Sequence, residues 1–248
     1  ESAKASLVVG YLDDRGGGGI IFNSEHEFTL SKDGEWLQRG GQLTDRIDTY
    51  LKAAGADILA ADERKTLVEA LVAVSNDPDT GCMLVLANGT NIPNFETMGH
   101  PWKATRLTSS ISESAESKKS YQLLELPMPE LVALLGMDGA ACVWKQDSKC
   151  RIAFRRLASP DGAKKSRTPA KTMRDNLSGE GSRKWSALLA ACRKDVNLII
   201  AVSQDGPVHF YCPAKVAKGV YNENNEMKTI FKTKFGTVRD NEVIHDKW

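Results

Sequence analysis

Four short apolar runs dictate the architecture open to this chain. Cys82–Ala87, Ala141–Trp144, Val196–Val202 and Val208–Cys212 are apolar almost throughout and four to seven residues long. A helix needs about ten residues or more, whereas a strand buried on both sides reads as a brief continuous run. These segments are therefore expected to be inner strands of a sheet. Segments with helical spacing lie between them. Leu67, Ala70, Leu71 and Val74 share one face of a helix starting near Asp62 and ended by Asn76-Asp77-Pro78. Met128-Pro129-Glu130 opens a short helix through Leu131, Leu134 and Leu135. Ser182 caps another, with Trp185, Leu188, Leu189 and Cys192 on one side. Helices and strands alternate without regular βαβ spacing. The expected fold class is α/β: a mixed central sheet flanked by helices.

The remaining segments fill in the plan. Leu7–Leu12, Gly19–Phe22 and His26–Leu30 read as strands, so residues 1–60 form a β-rich N-terminal extension closed by a helix from Thr44 through Ile47, Tyr50, Leu51 and Ala54 to Gly55. The four consecutive glycines after Asp13-Asp14-Arg15 are expected to be a hairpin loop. No Lys-Ser/Thr follows them and no helix begins there, so they lack the context of a phosphate loop. Ala141–Trp144 and Cys150–Phe154 flank Gln146-Asp147-Ser148-Lys149 as a hairpin. Thr105–Gln122 is polar and reads as a loop or loosely held helix, and Ser159–Glu180 as a loop or mobile flap. Residues 216–248 read as a C-terminal tail, polar from Gly219 onward, that Ile230, Phe231 and Phe235 could dock back or form into a short strand.

Composition narrows the function. Lys plus Arg number 33 and Asp plus Glu 32, a net charge of +1. That balance argues against a broad nucleic-acid or membrane surface and leaves room for a local basic pocket. No apolar stretch approaches the ~18 residues of a membrane span, and Glu1-Ser2-Ala3-Lys4 has no secretory pattern. The five cysteines are odd in number, form no C-x-x-C pair and sit in apolar runs. Buried reduced thiols and a cytoplasmic setting are expected. The four histidines lie far apart in sequence, without metal-ligand spacing. No Gly-x-Ser-x-Gly elbow, P-loop or Gly-x-Gly-x-x-Gly fingerprint occurs.

Two loops carry chemistry. Asp138-Gly139-Ala140 sets a carboxylate on a tight turn before a buried strand. Gly179-Glu180-Gly181-Ser182-Arg183-Lys184 runs straight into a helix. Free backbone N–H groups and the positive end of a helix dipole attract an anion. Gly181 permits close approach, Ser182 offers a hydroxyl, and Arg183 and Lys184 add charge.

Together these loops resemble the diadenylate cyclase family, whose members include the DNA-integrity-scanning cyclases. That domain has an Asp-Gly-Ala turn, a β-hairpin, then Gly-Thr-Arg-His-Arg opening a helix, and a strand ending near Ser-Glu-Glu. Here the corresponding segments are Asp138-Gly139-Ala140, the hairpin 141–154, Gly181-Ser182-Arg183-Lys184-Trp185 and Leu198–Gly206, which contains Ser203-Gln204-Asp205. The helix 62–75, the strand 81–86 and Gly99-His100-Pro101 resemble the domain's opening. The similarity spans residues 62–215, leaving 1–60 and the tail 216–248 outside it.

The resemblance implies that the domain binds ATP or a related nucleotide with Mg²⁺ or Mn²⁺. Two copies meet face to face, and each 3′-hydroxyl attacks the opposite α-phosphate, giving cyclic di-AMP and two pyrophosphates. Asp138 would be the catalytic metal carboxylate. Gly139 and Ala140 would shape the nucleotide pocket. Gly181, Ser182, Arg183 and Lys184 would grip phosphates, Arg183 also serving catalysis, and Ser203 would lie near the nucleotide or the metal. The sequence departs from the family where Arg-His-Arg becomes Arg183-Lys184-Trp185, which removes one guanidinium, and where Glu-Glu becomes Gln204-Asp205. Lys164, Lys165, Arg167 and Lys171 of the flap are candidates to replace the lost charge. Two other readings stay open: a degenerate nucleotide sensor, and an interaction module with a vestigial pocket.

Overall fold

The computed structural model describes residues 7–11, 18–22, 27–30, 36–38, 40–75, 80–88, 120–137, 139–155, 167–170, 182–202, 208–222 and 224–247. The chain divides into two compact units, Glu1–Asp48 and Thr49–Trp248.

The first unit holds a four-stranded antiparallel meander, β1 (Leu7–Tyr11), β2 (Gly18–Phe22), β3 (Glu27–Leu30) and β4 (Trp36–Gln38). Leu7 pairs with Phe22 and Tyr11 with Gly18, so β1 and β2 form an antiparallel pair; Gly16 and Gly17 of the glycine run lie outside the described residues. β4 is too short for its alternation to show in the sequence. Helix α1 (Gly40–Gly55) begins ahead of Thr44 and ends at the expected glycine.

The second unit is built on an eight-stranded mixed sheet, as an α/β fold requires. Its strands are β5 (Cys82–Ala87), β6 (Tyr121–Gln122), β7 (Ala140–Gln146), β8 (Lys149–Arg155), β9 (Thr168–Pro169), β10 (Val196–Val202), β11 (Val208–Pro213) and β12 (Glu242–Lys247). Their order is β6-β8-β7-β5-β10-β11-β12-β9. β5–β7 and β12–β9 are parallel, and every other pair is antiparallel. The four apolar runs occupy the middle of the sheet, and every residue of β5 and β11 is buried. Asp147 and Ser148 join β7 to β8 with φ of 51° and 62°. Two left-handed residues match the twist of a tight hairpin.

Among the described residues, the α-helices that follow α1 are α2 (Ala61–Ser75), α3 (Met128–Leu135), α4 (Ser182–Ala191), α5 (Ala214–Val220) and α6 (Asn225–Phe235). Local chemistry sets their ends. Glu63 reaches back to accept from the Ala60 N–H at 2.7 Å, half of a capping box. Asn224 accepts from the Met227 N–H at 2.8 Å, and Gly236, with φ of 68°, stops α6. A Cβ at Gly136 would lie 2.9 Å from Thr80 Cγ2, so the turn after α3 needs glycine for close approach.

Register assigns side chains to faces. Met83, Val85, Ala140, Cys142, Ile199, Ala201, Tyr211 and Val243 share one buried cluster with Ala187, Leu188, Ala190, Ala191 and Cys192 of α4 and its end. The opposite face carries Phe210, on which Tyr50 of α1 stacks at 4.2 Å. No helix among the described residues is long and apolar enough to cross a membrane.

The C-terminal residues dock back through two of the three apolar side chains expected to do so. Phe231 and Phe235 are buried, Ile230 is exposed, and β12 pairs with β11 along its length. Of the stretch 159–180, the described residues 167–170 are tied to the sheet. Thr168–Pro169 pairs with β12, and the Ala170 N–H donates to the Val243 carbonyl at 2.9 Å.

Candidate functional site

The segments singled out by sequence converge on one end of the sheet. β5 and β7 start there, β10 ends there and β11 starts there, since Val202 pairs with Cys82 and Val208, Ala201 with Met83, and Leu84 with Ala141. Gly139 is half-buried at the entry to β7, and Ala140 is buried in the α4 cluster. Helix α4 joins β10 by the short turn 192–195 and packs on it. A helix folded back on the next strand runs antiparallel to it. Its first turn, Ser182-Arg183-Lys184, therefore points toward the end of β10. Ten residues at about 1.5 Å each carry α4 about 15 Å in that direction. Lys184 is half-buried. Asp138, Gly181 and Ser203 lie outside the described residues.

The first turn of α4 offers oriented backbone donors on the face where β10 packs, and Gly139 and Ala140 put small residues at the start of β7. That combination suits an anion carrying a flat group. Among the described residues no group of three or more His, Cys, Asp or Glu side chains is arranged to hold a metal. Of the flap cations weighed as substitutes for the lost guanidinium, Arg167 is engaged elsewhere. Its Nη1 donates to the carbonyls of Arg193 at 2.6 Å and Val196 at 2.5 Å, at the opposite end of α4. Burial pulls its guanidinium below the ordinary value, against the opposing pull of Cys192, Asp195 and Cys212. Lys164, Lys165 and Lys171 lie outside the described residues.

Two polar clusters escaped the sequence reading. On the α4 face, His209 Nδ1 lies 2.7 Å from His245 Nε2, although 36 residues separate them in the chain. Tyr211 stacks on His245 at 4.6 Å and 8°. One imidazole must donate and the other accept. A zinc ion bound by both at about 2.0–2.1 Å would hold the nitrogens more than about 3 Å apart, so this is a hydrogen-bonded pair and not a metal pair. On the other face, Asp246 is 1% exposed and accepts from the hydroxyls of Tyr50 at 2.6 Å and Tyr221 at 2.8 Å, and from Lys234 Nζ. The alternation His209-Phe210-Tyr211 was the available signal for the first cluster. Its partner strand, β12, carried none.

All five cysteines are buried and none is in a disulfide. The Cys150 thiol is pushed up chiefly by burial and then by Glu63, with Lys145 opposing.

Comparison of the chain with family models, with curated proteins and with solved structures finds no match in any of the three.

Proposed function

We propose that the second unit is a nucleotide-binding domain of the diadenylate cyclase type, acting on ATP or a related nucleotide. One observation carries the reading. Ala140 of the Asp-Gly-Ala turn and Ala187 and Leu188 of the helix opened by Gly-Ser-Arg-Lys lie in one buried cluster on the sheet face that α4 covers, and β7 starts at the sheet end where β10 runs out. Both segments, more than forty residues apart and each suggestive alone, support the reading through that shared face.

In this reading the N–H groups of the first turn of α4, with Arg183 and Lys184, hold the triphosphate and disperse its charge. Gly139 and Ala140 leave room for the nucleotide. The 3′-hydroxyl of a second ATP, held by a second copy of the chain, attacks the α-phosphorus. The new P–O bond forms as the bond to pyrophosphate breaks, and the hydroxyl proton leaves to solvent. Two such steps close cyclic di-AMP. Positioning supplies most of the acceleration in such a transfer. A divalent cation, Mg²⁺ or Mn²⁺, when bound would neutralise phosphate charge and make the hydroxyl more acidic. Among the described residues no group of three or more His, Cys, Asp or Glu side chains is arranged to hold it. A reducing compartment such as the cytoplasm suits the buried thiols.

A second reading, a nucleotide sensor without turnover, is favoured by Trp185 standing where the family has a second arginine. Purified protein incubated with ATP and Mn²⁺, followed by mass analysis, separates the two. The first reading expects a cyclic dinucleotide and pyrophosphate, abolished in Asp138→Asn, with added activity in Trp185→Arg. The second expects ATP to raise the melting temperature without product, and Arg183→Ala to erase the rise. Neither product nor a thermal shift would sink both.

A further inference from the structure

The far end of α4 is held by a residue from outside the helix. A helix terminus leaves its last carbonyls without intrahelical donors, and α4 ends at Ala191. Arg167 Nη1 donates to the carbonyls of Ala191 at 3.4 Å, Arg193 at 2.6 Å and Val196 at 2.5 Å, and Nη2 donates to Lys194 at 3.3 Å. The backbone N–H of Arg167 donates to the Cys192 carbonyl at 3.0 Å. A planar guanidinium fork meets several acceptors at once, which an ammonium cannot do in the same geometry, and its charge suits the negative end of the helix dipole.

Arg167 is itself fixed from the other side. Thr168–Pro169 pairs with Glu242–Val243 of β12, and Ala170 is wholly buried. The ion pair of Arg193 with Asp195, at 2.9 and 2.7 Å, closes the same turn through different atoms and leaves those carbonyls to Arg167.

We propose that Arg167 is a positioning residue: it seats the C-terminal end of α4 between β10 and β12 and thereby sets where Ser182-Arg183-Lys184 present their donors. The inference rests on the nucleotide reading of that first turn. A rigid helix transmits a displacement at one end to the other, and misplacement of about 1 Å can cost about 10²-fold in a positioned reaction. The hydrogen bonds given for the guanidinium go to carbonyls at the end of α4, in its turn and at the start of β10, so its effect on a ligand passes through the helix.

The test compares wild type, Arg167→Met and Arg167→Lys in the full chain. It measures hydrogen exchange over 182–196, ATP affinity with Mn²⁺ well below the melting temperature, and thermal unfolding. Arg167→Met should speed exchange in α4 and its turn while β5 and β7 keep their protection. It should weaken ATP binding by about tenfold or more. Low guanidinium chloride should restore affinity where equal sodium chloride does not. Arg167→Lys should recover most of the melting temperature but not the affinity, and it carries the comparison should Arg167→Met fail to fold. Unchanged exchange in α4 overturns the proposal. So does unchanged affinity in a variant whose α4 exchanges faster, or a loss that follows melting temperature alone. If wild type binds no ATP, the nucleotide reading falls, and the seating of α4 is then decided by the exchange measurement alone.

Discussion

The two faces of the eight-stranded sheet hold their polar groups in opposite ways. On one, α1, the end of α5 and α6 converge on the buried Asp246 through Tyr50, Tyr221 and Lys234. On the other, under α4, His209 and His245 bond to each other beside Tyr211. A buried charge costs several kcal/mol unless it is met by fixed donors, so the first face requires three separate elements to be in place together. The bond on the second joins two adjacent strands of one sheet. α4, the helix described on that face, is clamped at one end. Elements that bind and release ligands come from the less constrained parts of a fold. The contrast separates an architectural face from the face on which the candidate site opens.

The largest effect belongs to Asp246. Asp246→Ala leaves two buried hydroxyls and the Lys234 ammonium without their shared acceptor. Breaking such a pair costs about 3–5 kcal/mol, and the 39% exposure of Lys234 places this case toward the lower figure. Asp246→Asn keeps one oxygen for the tyrosines and should lose less. Urea titrations read by linear extrapolation decide it. A change of under about 0.5 kcal/mol in the alanine variant, the range of an ordinary surface substitution, would mean that the converging helices do not depend on this carboxylate.

On the opposite face His245→Phe is the matching cut. The ring can still stack on Tyr211, but His209 Nδ1, in a residue 1% exposed, loses its partner. Leaving a buried polar group so placed costs about 1–3 kcal/mol, whereas removing both partners can be nearly neutral. The double variant with His209→Phe should therefore be more stable than His245→Phe alone. If the two losses simply add, the histidines are not a unit and the contrast between faces weakens.

What the sequence made legible follows the same division. β5, β10 and β11 could be read because strands covered on both sides are apolar throughout. The start of α4 could be read because a glycine, a serine and two cations mark a helix mouth. β12 could not be read: Glu242, His245, Asp246 and Lys247 look like solvated surface, and Asp246 is buried only because Tyr50, 196 residues away, and Lys234 come to meet it. Arg167 is one cation in a polar stretch rich in Lys and Arg, and no local pattern distinguishes a clamp from a solvated side chain. The two histidines were dismissed by their spacing, since strand pairing across β11 and β12 leaves no mark on either segment alone. Local periodicity reports burial by neighbours close in sequence, while these groups are buried by partners remote in it.

The smallest effect compares thiols on the two faces. Cys142 and Cys192 belong to the α4 cluster, whereas Cys150 lies on β8 with its N–H donating to Glu63 of α2 at 3.3 Å. A thiol reagent under native conditions should reach Cys142 and Cys192 before Cys150, and the gap should widen in Arg167→Met. Stability against pH gives a second measure. Below about pH 8.5 the Cys150 thiol is protonated in folded and unfolded chains alike and contributes no slope. Above it the unfolded chain releases the proton while the buried thiol keeps it, since burial raises its pKa. The native state then binds more protons, and its stability falls as pH rises, by at most about 1.4 kcal/mol per pH unit. Cys150→Ala should be less stable at neutral pH and should flatten that alkaline slope. An unchanged slope, or earlier labelling of Cys150 than of Cys142, would show that the better-tied face opens as readily as the one under α4.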